Sequence, residues 1–350
     1  MQTPDPSDTL VFDGHNDTIL NLHQPERGQG RSFFEESEIG HIDLPRARLG
    51  GFGGGFFALF SPSEKSVSPD EVRETLHPDV NPDFARRYTT GLAARLFKLI
   101  AESDGQVALV TTASGLEACF NAGVLGVVMH IEGAEAIDPG LDALHLFYQA
   151  GLRSLGIVWS RPNAFGSGVP FGFPGSPDTG PGLTAVGEDL VRACNQLGVM
   201  LDLSHLNEAG FWDVARISDT PLIATHSNAH ALCPSPRNLT DRQLDAIGES
   251  GGVAGINFHV AFLRADGLRD PDTPLADICR HASYIADRIG IDHVALGSDF
   301  DGALIPDSLG DVAGLPELLA EFRAHGFDGE SLRKIAHENW FRVLKETWGV

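Results

Sequence analysis

The residues best suited to chemistry stand where apolar runs end, and the first of them are His15 and Asp17. The apolar run from Leu10 to Phe12 leads directly into this His-x-Asp pair. Because residues two apart in an extended strand point to the same side, both side chains could bind one metal ion. A pair this short is common by chance. It gains weight because the same pattern recurs along the chain.

Four later apolar runs also end in a side chain that can bind a metal ion or carry a proton. These side chains are Glu132, His205, His226 and Asp299. Together with the first pair they supply three imidazoles and three carboxylates, ligands that suit catalytic zinc or another first-row divalent metal. One tetrahedral ion needs fewer groups. A carboxylate shared by two ions, as in two-metal hydrolases, would use the surplus.

Other polar residues near these runs are weaker candidates. Asp202, three residues before His205, could hydrogen-bond to a metal ligand, and His130 shares a side of its strand with Glu132. Seven further histidines are expected to be ordinary helix or loop residues without such companions: His23, His41, His77, His145, His281, His325 and His337. The four cysteines are widely spaced, which argues against a thiolate zinc site and a disulfide framework.

Strand-like and helix-like segments alternate along the chain and must position these residues. The strand-like runs are Thr9–Phe12, Gly53–Phe60, Leu125–Ile131, Ser154–Trp159, Val199–Leu203, Leu222–Thr225, Val253–Phe258 and Val294–Gly297. A further short run, Val107–Thr111, stands outside this count. The alternation predicts parallel strands with right-handed crossovers, and eight strands predict an α/β protein with a (β/α)₈ TIM-like barrel. We expect one domain spanning residues 1–350, with its active site at the carboxyl ends of the strands.

Two later features bear on access to that site and on the end of the fold. The segment Pro162–Pro181 is rich in Gly, Pro and Phe, and its Phe165–Phe173 part could cover the pocket. Two helices are predicted to close the chain, at about Leu315–Ala324 and Ser331–Lys345.

The charge of the chain is strongly negative, with 25 basic against 48 acidic residues and a formal net charge of −23. Such a surface repels nucleic acid and anionic membranes, but it does not repel a small zwitterion or a metal cation. No apolar stretch reaches membrane-spanning length, and Met1–Asp8 lacks the features of a signal peptide. We therefore expect no nucleic-acid or membrane partner and a cytoplasmic location. A homodimer is compatible with the sequence.

Five short motifs follow one another over nearly the whole chain. They are Asp13-Gly-His-Asn-Asp17, Glu132-Gly133, Asp202-Leu-Ser-His205, His226-Ser227 followed by Arg237-Asn238, and Gly297-Ser-Asp299-Phe-Asp-Gly302. In this combination and order the chain resembles the membrane (renal) dipeptidase family, the M19 metallopeptidases, which belong with the amidohydrolase-like metal-dependent hydrolase barrels. Its soluble bacterial-type members are the better comparison, because the signals for secretion and lipid anchoring found in animal members are lacking.

The resemblance implies two zinc ions per chain. His15 and Asp17 would hold the first ion, and His205 and His226 the second. Glu132 would bridge the two.

The resemblance also implies a dipeptidase. Asp299 matches the acid/base residue, which would take a proton from a water shared by the two ions and return it to the leaving amine. Arg237 matches the residue that binds the C-terminal carboxylate of the substrate, and a planar guanidinium suits that role. Dipeptides should therefore be preferred over long chains, and the family adds tolerance for a D-residue at the C-terminal position.

One departure from the family concerns the end of the fourth strand. Many members have a histidine there that contacts the scissile region of the substrate, whereas this chain has Trp159. Tryptophan can donate one hydrogen bond but cannot carry a proton. Trp159 is either a substrate-binding residue or a large apolar plug at the barrel mouth.

Two other functions remain open on the sequence. The same barrel and ligands could serve another binuclear amidohydrolase with a lactone or cyclic amide as substrate, because fold and metal do not determine substrate. A metal-stabilised barrel without catalytic activity is the second, and the presence of all six candidate groups argues against it.

Overall fold

The structure, a computed structural model, describes residues 9–64 and 76–349. Within these ranges the strands are β1 (Val11–Asn16), β2 (Phe52–Phe60), β3 (Val107–Leu109), β4 (Leu125–Glu132), β5 (Leu152–Gly156), β6 (Met200–Asp202), β7 (Ile223–Ala224), β8 (Val253–Ile256) and β9 (Val294–Leu296). The segment Met1–Asp8, for which no signal peptide was predicted, lies outside the described residues.

Eight of the strands form a nearly closed parallel barrel in the order β1-β2-β4-β5-β6-β7-β8-β9. The barrel closes between β1 and the residues after β9: the Asp17 amide donates to the Phe300 carbonyl at 2.8 Å, and the Asp299 amide donates to the His15 carbonyl at 2.9 Å. The predicted eight-stranded barrel is confirmed. The extra run at Val107 forms β3, which pairs with the first half of β4 outside the barrel order.

Helices connect most of the strands. They are α1 (Thr18–His23), α2 (Pro25–Gly28), α3 (Leu44–Leu49), α4 (Pro82–Glu102), α5 (Ala113–Ala122), α6 (Asp142–Gln149), α7 (Ala185–Leu197), α8 (Glu208–Ile217), α9 (Asp241–Glu249), α10 (Val260–Leu263), α11 (Leu275–Ile289), α12 (Leu315–Ala324), α13 (Gly329–Arg333) and α14 (Asn339–Trp348). Their apolar faces and the outer faces of the strands form the larger of two hydrophobic cores.

The smaller core fills the interior of the barrel, below the strand ends that carry the candidate site. The strands contribute Phe12, Phe56, Val128, Met200, Ile223, Val253 and Ala295. Trp340 of α14 inserts among them fully buried, and its Nε1 donates to the Leu296 carbonyl at 3.0 Å. Gly14 and Gly255 make room, because a Cβ at either position would lie 2.6 or 3.1 Å from the indole ring. Side chains therefore fill this end of the barrel.

The last helix differs from its prediction in one respect. The segment expected as one helix over Ser331–Lys345 passes from α13 through a π-helical turn, Lys334–Glu338, into α14. The wide turn changes the direction of the side chains that follow. It accompanies the insertion of Trp340 and a pair of hydrogen bonds from Asn339 Nδ2 to the Ile291 and Val294 carbonyls, at 2.8 and 2.7 Å.

Candidate functional site

The barrel brings five of the predicted residues into one buried cluster around a carboxylate oxygen. Glu132 Oε1, at the end of β4, lies 3.1 Å from His205 Nε2, 3.6 Å from His226 Nε2 and 3.7 Å from His15 Nε2. His15 Nε2 is 3.8 Å from Asp17 Oδ2, and the Nε2 atoms of His205 and His226 are 3.2 Å apart. All five residues are buried.

Several polar atoms of this cluster lack hydrogen-bond partners among the described residues. They are His15 Nδ1, His15 Nε2 and Asp17 Oδ1. Buried polar atoms without partners are costly and uncommon. Two sets of potential ligand atoms each lie within 4.8 Å of one another. One set comes from His15, Glu132 and His226, and the other from His15, Asp17 and Asp299. Two such groups of nitrogen and oxygen atoms, sharing one histidine, fit divalent metal ions.

His130, a weaker candidate, lies beside this cluster. Its ring centroid is 5.5 Å from that of His15, and its Nε2 is 3.7 Å from Asp202 Oδ2. Its Nδ1 is hydrogen-bonded to Ser154 Oγ at 2.8 Å. The group His15, His130 and Asp202 is a third set of potential ligand atoms within 4.8 Å.

Hydroxyl groups orient the imidazoles of His205 and His226 through their Nδ1 atoms. Thr225 Oγ1 lies 2.6 Å from Asp202 Oδ2 and 2.8 Å from His226 Nδ1. The hydroxyl donates its one proton to Asp202 Oδ2, so it accepts from an Nδ1–H of His226. The Nε2 of His226 then keeps its lone pair for a metal ion. Ser160 Oγ contacts His205 Nδ1 at 2.8 Å in a similar way.

The backbone is strained at two residues of the site. His205 and Asp299 have φ angles of 69° and 60°, in the left-handed region that residues other than glycine seldom adopt. Hydrogen bonds hold both: the His205 carbonyl accepts from the Val169 amide at 2.8 Å, and the Asp299 amide donates to His15. Strain of this kind is typical of functional sites.

Asp299 lies beside His15 and Asp17, and one of its carboxylate oxygens already accepts a hydrogen bond. Its Oδ2 accepts from Asn257 Nδ2 at 2.9 Å. Burial raises the pKa of Asp299 to about 6. The charge of Asp17 acts in the same direction, and His15, the Asn257 hydrogen bond and Arg237 oppose it. Asp299 is therefore a carboxyl group that can bind and release a proton near neutral pH.

The other titratable groups of the cluster respond to burial and to one another. Burial raises the pKa of Glu132 to about 8. Burial lowers the pKa of His15, but the carboxylates of Glu132 and Asp17 outweigh it and raise this pKa to about 10. The pKa values of His205 and His226 fall well below the usual range because of burial and nearby positive charges. These two imidazoles are neutral and ready to bind a metal ion, whereas His15 carries a proton among the carboxylates, and a metal ion bound there would take the place of that proton.

Arg237 places a second charged group close to the cluster. It is only 3% exposed, and its Nη1 and Nη2 donate to Ser227 Oγ at 3.2 Å and to the His226 carbonyl at 3.1 Å. Its Nε has no hydrogen-bond partner among the described residues. Burial lowers the pKa of Arg237 to about 10, so the guanidinium stays charged at neutral pH.

Trp159 lies half-buried at the mouth of the barrel. Its ring centroid is 5.8 Å from that of His205 and 5.0 Å from that of Phe60. Phe171, from the loop expected to cover the pocket, reaches within 5.6 Å of the Trp159 ring and 6.4 Å of the His205 ring. Every predicted site residue is thus at or beside the cluster.

Sequence reasoning missed three residues that hold the site together: Ser160, Thr225 and Asn257. Each lies within one or two residues of the end of an apolar run, but nothing in its type or spacing distinguishes it. The hydrogen-bond partner of each comes from the neighbouring strand or the residues that follow it, so the local sequence does not reveal it.

Comparisons with known proteins find relatives over nearly the whole chain. The model of the membrane dipeptidase family (peptidase family M19) matches residues 6–349. A metallo peptidase from Rhodobacter sphaeroides, solved with a phosphinate mimic of the dipeptide L-Ala-D-Ala, is 50% identical. It superposes with a TM-score of 0.94, covering 97% of this chain and 100% of that one.

Two further proteins are similar over most of their length. The M19 metallo peptidase called dipeptidase AC is 50% identical, with a TM-score of 0.93, covering 98% of this chain and 99% of that one. An uncharacterized protein encoded in the pqqA 5′ region of Klebsiella pneumoniae is 57% identical over 255 residues, 73% of this chain and 94% of that protein. Among the described residues, no helix is long and apolar enough to cross a membrane.

Proposed function

The chain belongs to the membrane dipeptidase family, peptidase family M19, and is a metallo-dipeptidase; we propose that it is zinc-dependent and hydrolyses dipeptides with a free C-terminal carboxylate. The observation that carries this proposal is the single carboxylate oxygen of Glu132 amid three imidazole nitrogens, with Arg237 buried alongside. The L-Ala-D-Ala mimic bound by the Rhodobacter relative supports substrates of the L-Xaa-D-Xaa type.

Five residues would hold two zinc ions. His15 and Asp17 would bind the first ion and His205 and His226 the second, with Glu132 between them. The short distances from Glu132 Oε1 to the three imidazoles support this assignment. Zinc bound by these residues would supply a water of lowered pKa and a Lewis acid for the carbonyl of the scissile bond.

Asp299 would move the proton. Its carboxylate would accept a proton from the attacking water and return it to the leaving amine, so that one water and one peptide bond become a carboxylic acid and an amine. Asn257 holds Oδ2 and leaves Oδ1 for this task. The raised pKa of Asp299 suits a group that must both accept and donate near neutral pH.

Arg237 would restrict the substrates to dipeptides. Its guanidinium is buried and charged, and an arginine fork can pair with both oxygens of a carboxylate. A longer peptide would place an uncharged amide at this position and leave the charge unpaired. The enzyme should therefore prefer dipeptides over tripeptides and over C-terminal amides.

The test compares L-Ala-D-Ala with its C-terminal amide on protein of measured zinc content. Asp299→Asn should keep its zinc and lose kcat by a factor of about 10²–10⁴, whereas Asp307→Asn, an exposed carboxylate on the same loop, should behave as wild type. Arg237→Ala should weaken hydrolysis of the free dipeptide and leave the amide unaffected. A wild-type kcat in Asp299→Asn would remove Asp299 from the mechanism, and equal losses on both substrates would remove Arg237 from carboxylate binding.

A further inference from the structure

Five aromatic rings form a continuous row beside the cluster. From one end to the other the neighbouring ring centroids are separated by 4.5 Å (His77 to Trp159), 5.6 Å (Trp159 to Phe171), 6.2 Å (Phe171 to Phe262) and 4.5 Å (Phe262 to His259). Distances of this size are those of rings in contact. We call these five residues the aromatic row.

The aromatic row adjoins both functional parts of the site. Trp159 and Phe171 lie 5.8 and 6.4 Å from the ring of His205, which belongs to the cluster. Further along the row, the guanidinium carbon of Arg237 lies 5.5 Å from the Phe262 ring centroid. A dipeptide that spans the cluster and Arg237 would therefore lie along the row.

The row offers apolar surface and no charge of its own. Trp159 and Phe171 are half-buried, so part of each ring remains accessible, and Phe262 between Phe171 and His259 is 7% exposed. Burial, reinforced by the charges of Arg269 and Arg237, lowers the pKa of His259 to about 3. Burial together with Arg161 lowers the pKa of His77. Both imidazoles are neutral at neutral pH and offer no charge to a charged side chain.

We propose that the aromatic row recognises the side chains of the substrate and selects dipeptides whose side chains are apolar. This proposal rests on the proposed function, because it takes the orientation of the dipeptide from Arg237 and the cluster. The reacting carbonyl belongs to the N-terminal residue and lies at the cluster, beside Trp159. The carboxylate belongs to the C-terminal residue and lies at Arg237, beside Phe262.

Two rings of the row would therefore each contact one residue of the dipeptide. Trp159 faces the side chain of the N-terminal residue, Phe262 faces that of the C-terminal residue, and Phe171 contacts both neighbours. An apolar side chain loses water-exposed surface against these rings, which favours binding. A carboxylate or ammonium side chain would lose water without gaining a partner, which disfavours binding.

The test measures kcat/KM of the zinc-loaded enzyme on Ala-Ala, Ala-Leu, Leu-Ala, Ala-Glu and Glu-Ala, each in L-L and L-D forms. We expect Leu to be favoured over Ala by about tenfold at either position, the effect of burying roughly two methylene groups. Glu should be disfavoured at both positions. Phe262→Ala should abolish the advantage of Ala-Leu alone, and Trp159→Ala that of Leu-Ala alone.

Phe173→Ala is the matched control, because Phe173 lies in the same loop, is 37% exposed and is outside the row. It should leave all ratios unchanged. Equal or greater kcat/KM for Glu than for Leu in the wild-type enzyme would overturn the proposal without any variant. Hydrolysis of none of the dipeptides would instead overturn the proposed function. If Phe262→Ala does not fold, Phe262→Leu tests the same ratio with a smaller change in volume.

Discussion

Replacing Thr225 by valine should weaken both the fold and the metal affinity, because one hydroxyl joins Asp202 to His226. The substitution keeps the shape of the side chain and removes only the oxygen. Two buried groups then lose their partner, the Nδ1–H of His226 and the Oδ2 of Asp202. Each buried group left without a partner costs about 1–3 kcal/mol, so we expect the two to lower the free energy of unfolding by about 2–6 kcal/mol.

The same change should lower the affinity for zinc by about 10–100-fold, the usual effect of losing a hydrogen bond behind a metal-binding histidine. Without the hydroxyl, His226 is free to carry its proton on Nε2, the atom that faces Glu132. Thr225→Ser is the matched control, since it keeps the oxygen and removes a methyl group worth about 1 kcal/mol.

Two measurements check this prediction. Urea unfolding of metal-free protein reports the stability loss, since the hydrogen bonds exist without metal, and competition with a chelator reports the zinc affinity. If Thr225→Val unfolds at the same urea concentration as Thr225→Ser and binds zinc equally well, then the hydroxyl does not orient His226. The tautomer assigned to this histidine would then be wrong.

Three further outcomes are expected. Trp340→Ala should lower the free energy of unfolding by about 3–5 kcal/mol in urea titrations, because the indole fills the barrel interior; a loss below 1 kcal/mol would show that the interior collapses without it. His281 is buried with its pKa lowered to about 4, so the unfolded chain protonates first, and this residue alone should lower stability by about 3 kcal/mol as the pH drops from 6.5 to 4. His281→Asn should reduce the loss of stability over this range by that amount, because the other buried histidines remain. Chelation of zinc should lower the Tm and zinc should restore it, and a Tm indifferent to chelation would argue against a metal-binding cluster.

Strand ends could be predicted because each buried parallel strand is an apolar run that stops where polar side chains begin. Glu132 stands at such an end, and the barrel rule then places it beside the others. The bounds of two helices, α7 and α9, follow from local sequence signals. Each begins after a capping threonine, Thr184 or Thr240, whose hydroxyl accepts from a backbone amide, and α7 ends at Gly198 with a φ of 68°.

The hydrogen bonds behind the site could not be predicted, because their partners are far apart in the chain. Asn257 is 42 residues from Asp299, and Ser160 is 45 residues from His205. Neither residue type stands out in its own segment. Their roles arise only when parallel strands bring different loops to the same end of the barrel.

The ring contacts of His77 could not be predicted from the sequence either. The sequence offered no companion for it, and it was expected to be an ordinary loop residue. In the structure it packs 4.5 Å from Trp159 and 5.6 Å from Phe171, at one end of the aromatic row. Contacts between loops depend on the path of each loop, which local patterning does not specify.

The interior of the barrel joins residues from opposite ends of the chain. The ring of Phe12 in β1 lies 5.9 Å from that of Phe341 in α14, and Trp340 packs 5.3 Å from Phe56. Because synthesis proceeds from the N-terminus, β1 is made long before α14. The inner face of β1 stays uncovered until α14 is present. Contacts this distant in sequence slow folding, and exposed apolar strands invite aggregation in the meantime. The native barrel should therefore form only after α14 has left the ribosome, and the nascent chain should be prone to aggregation before then.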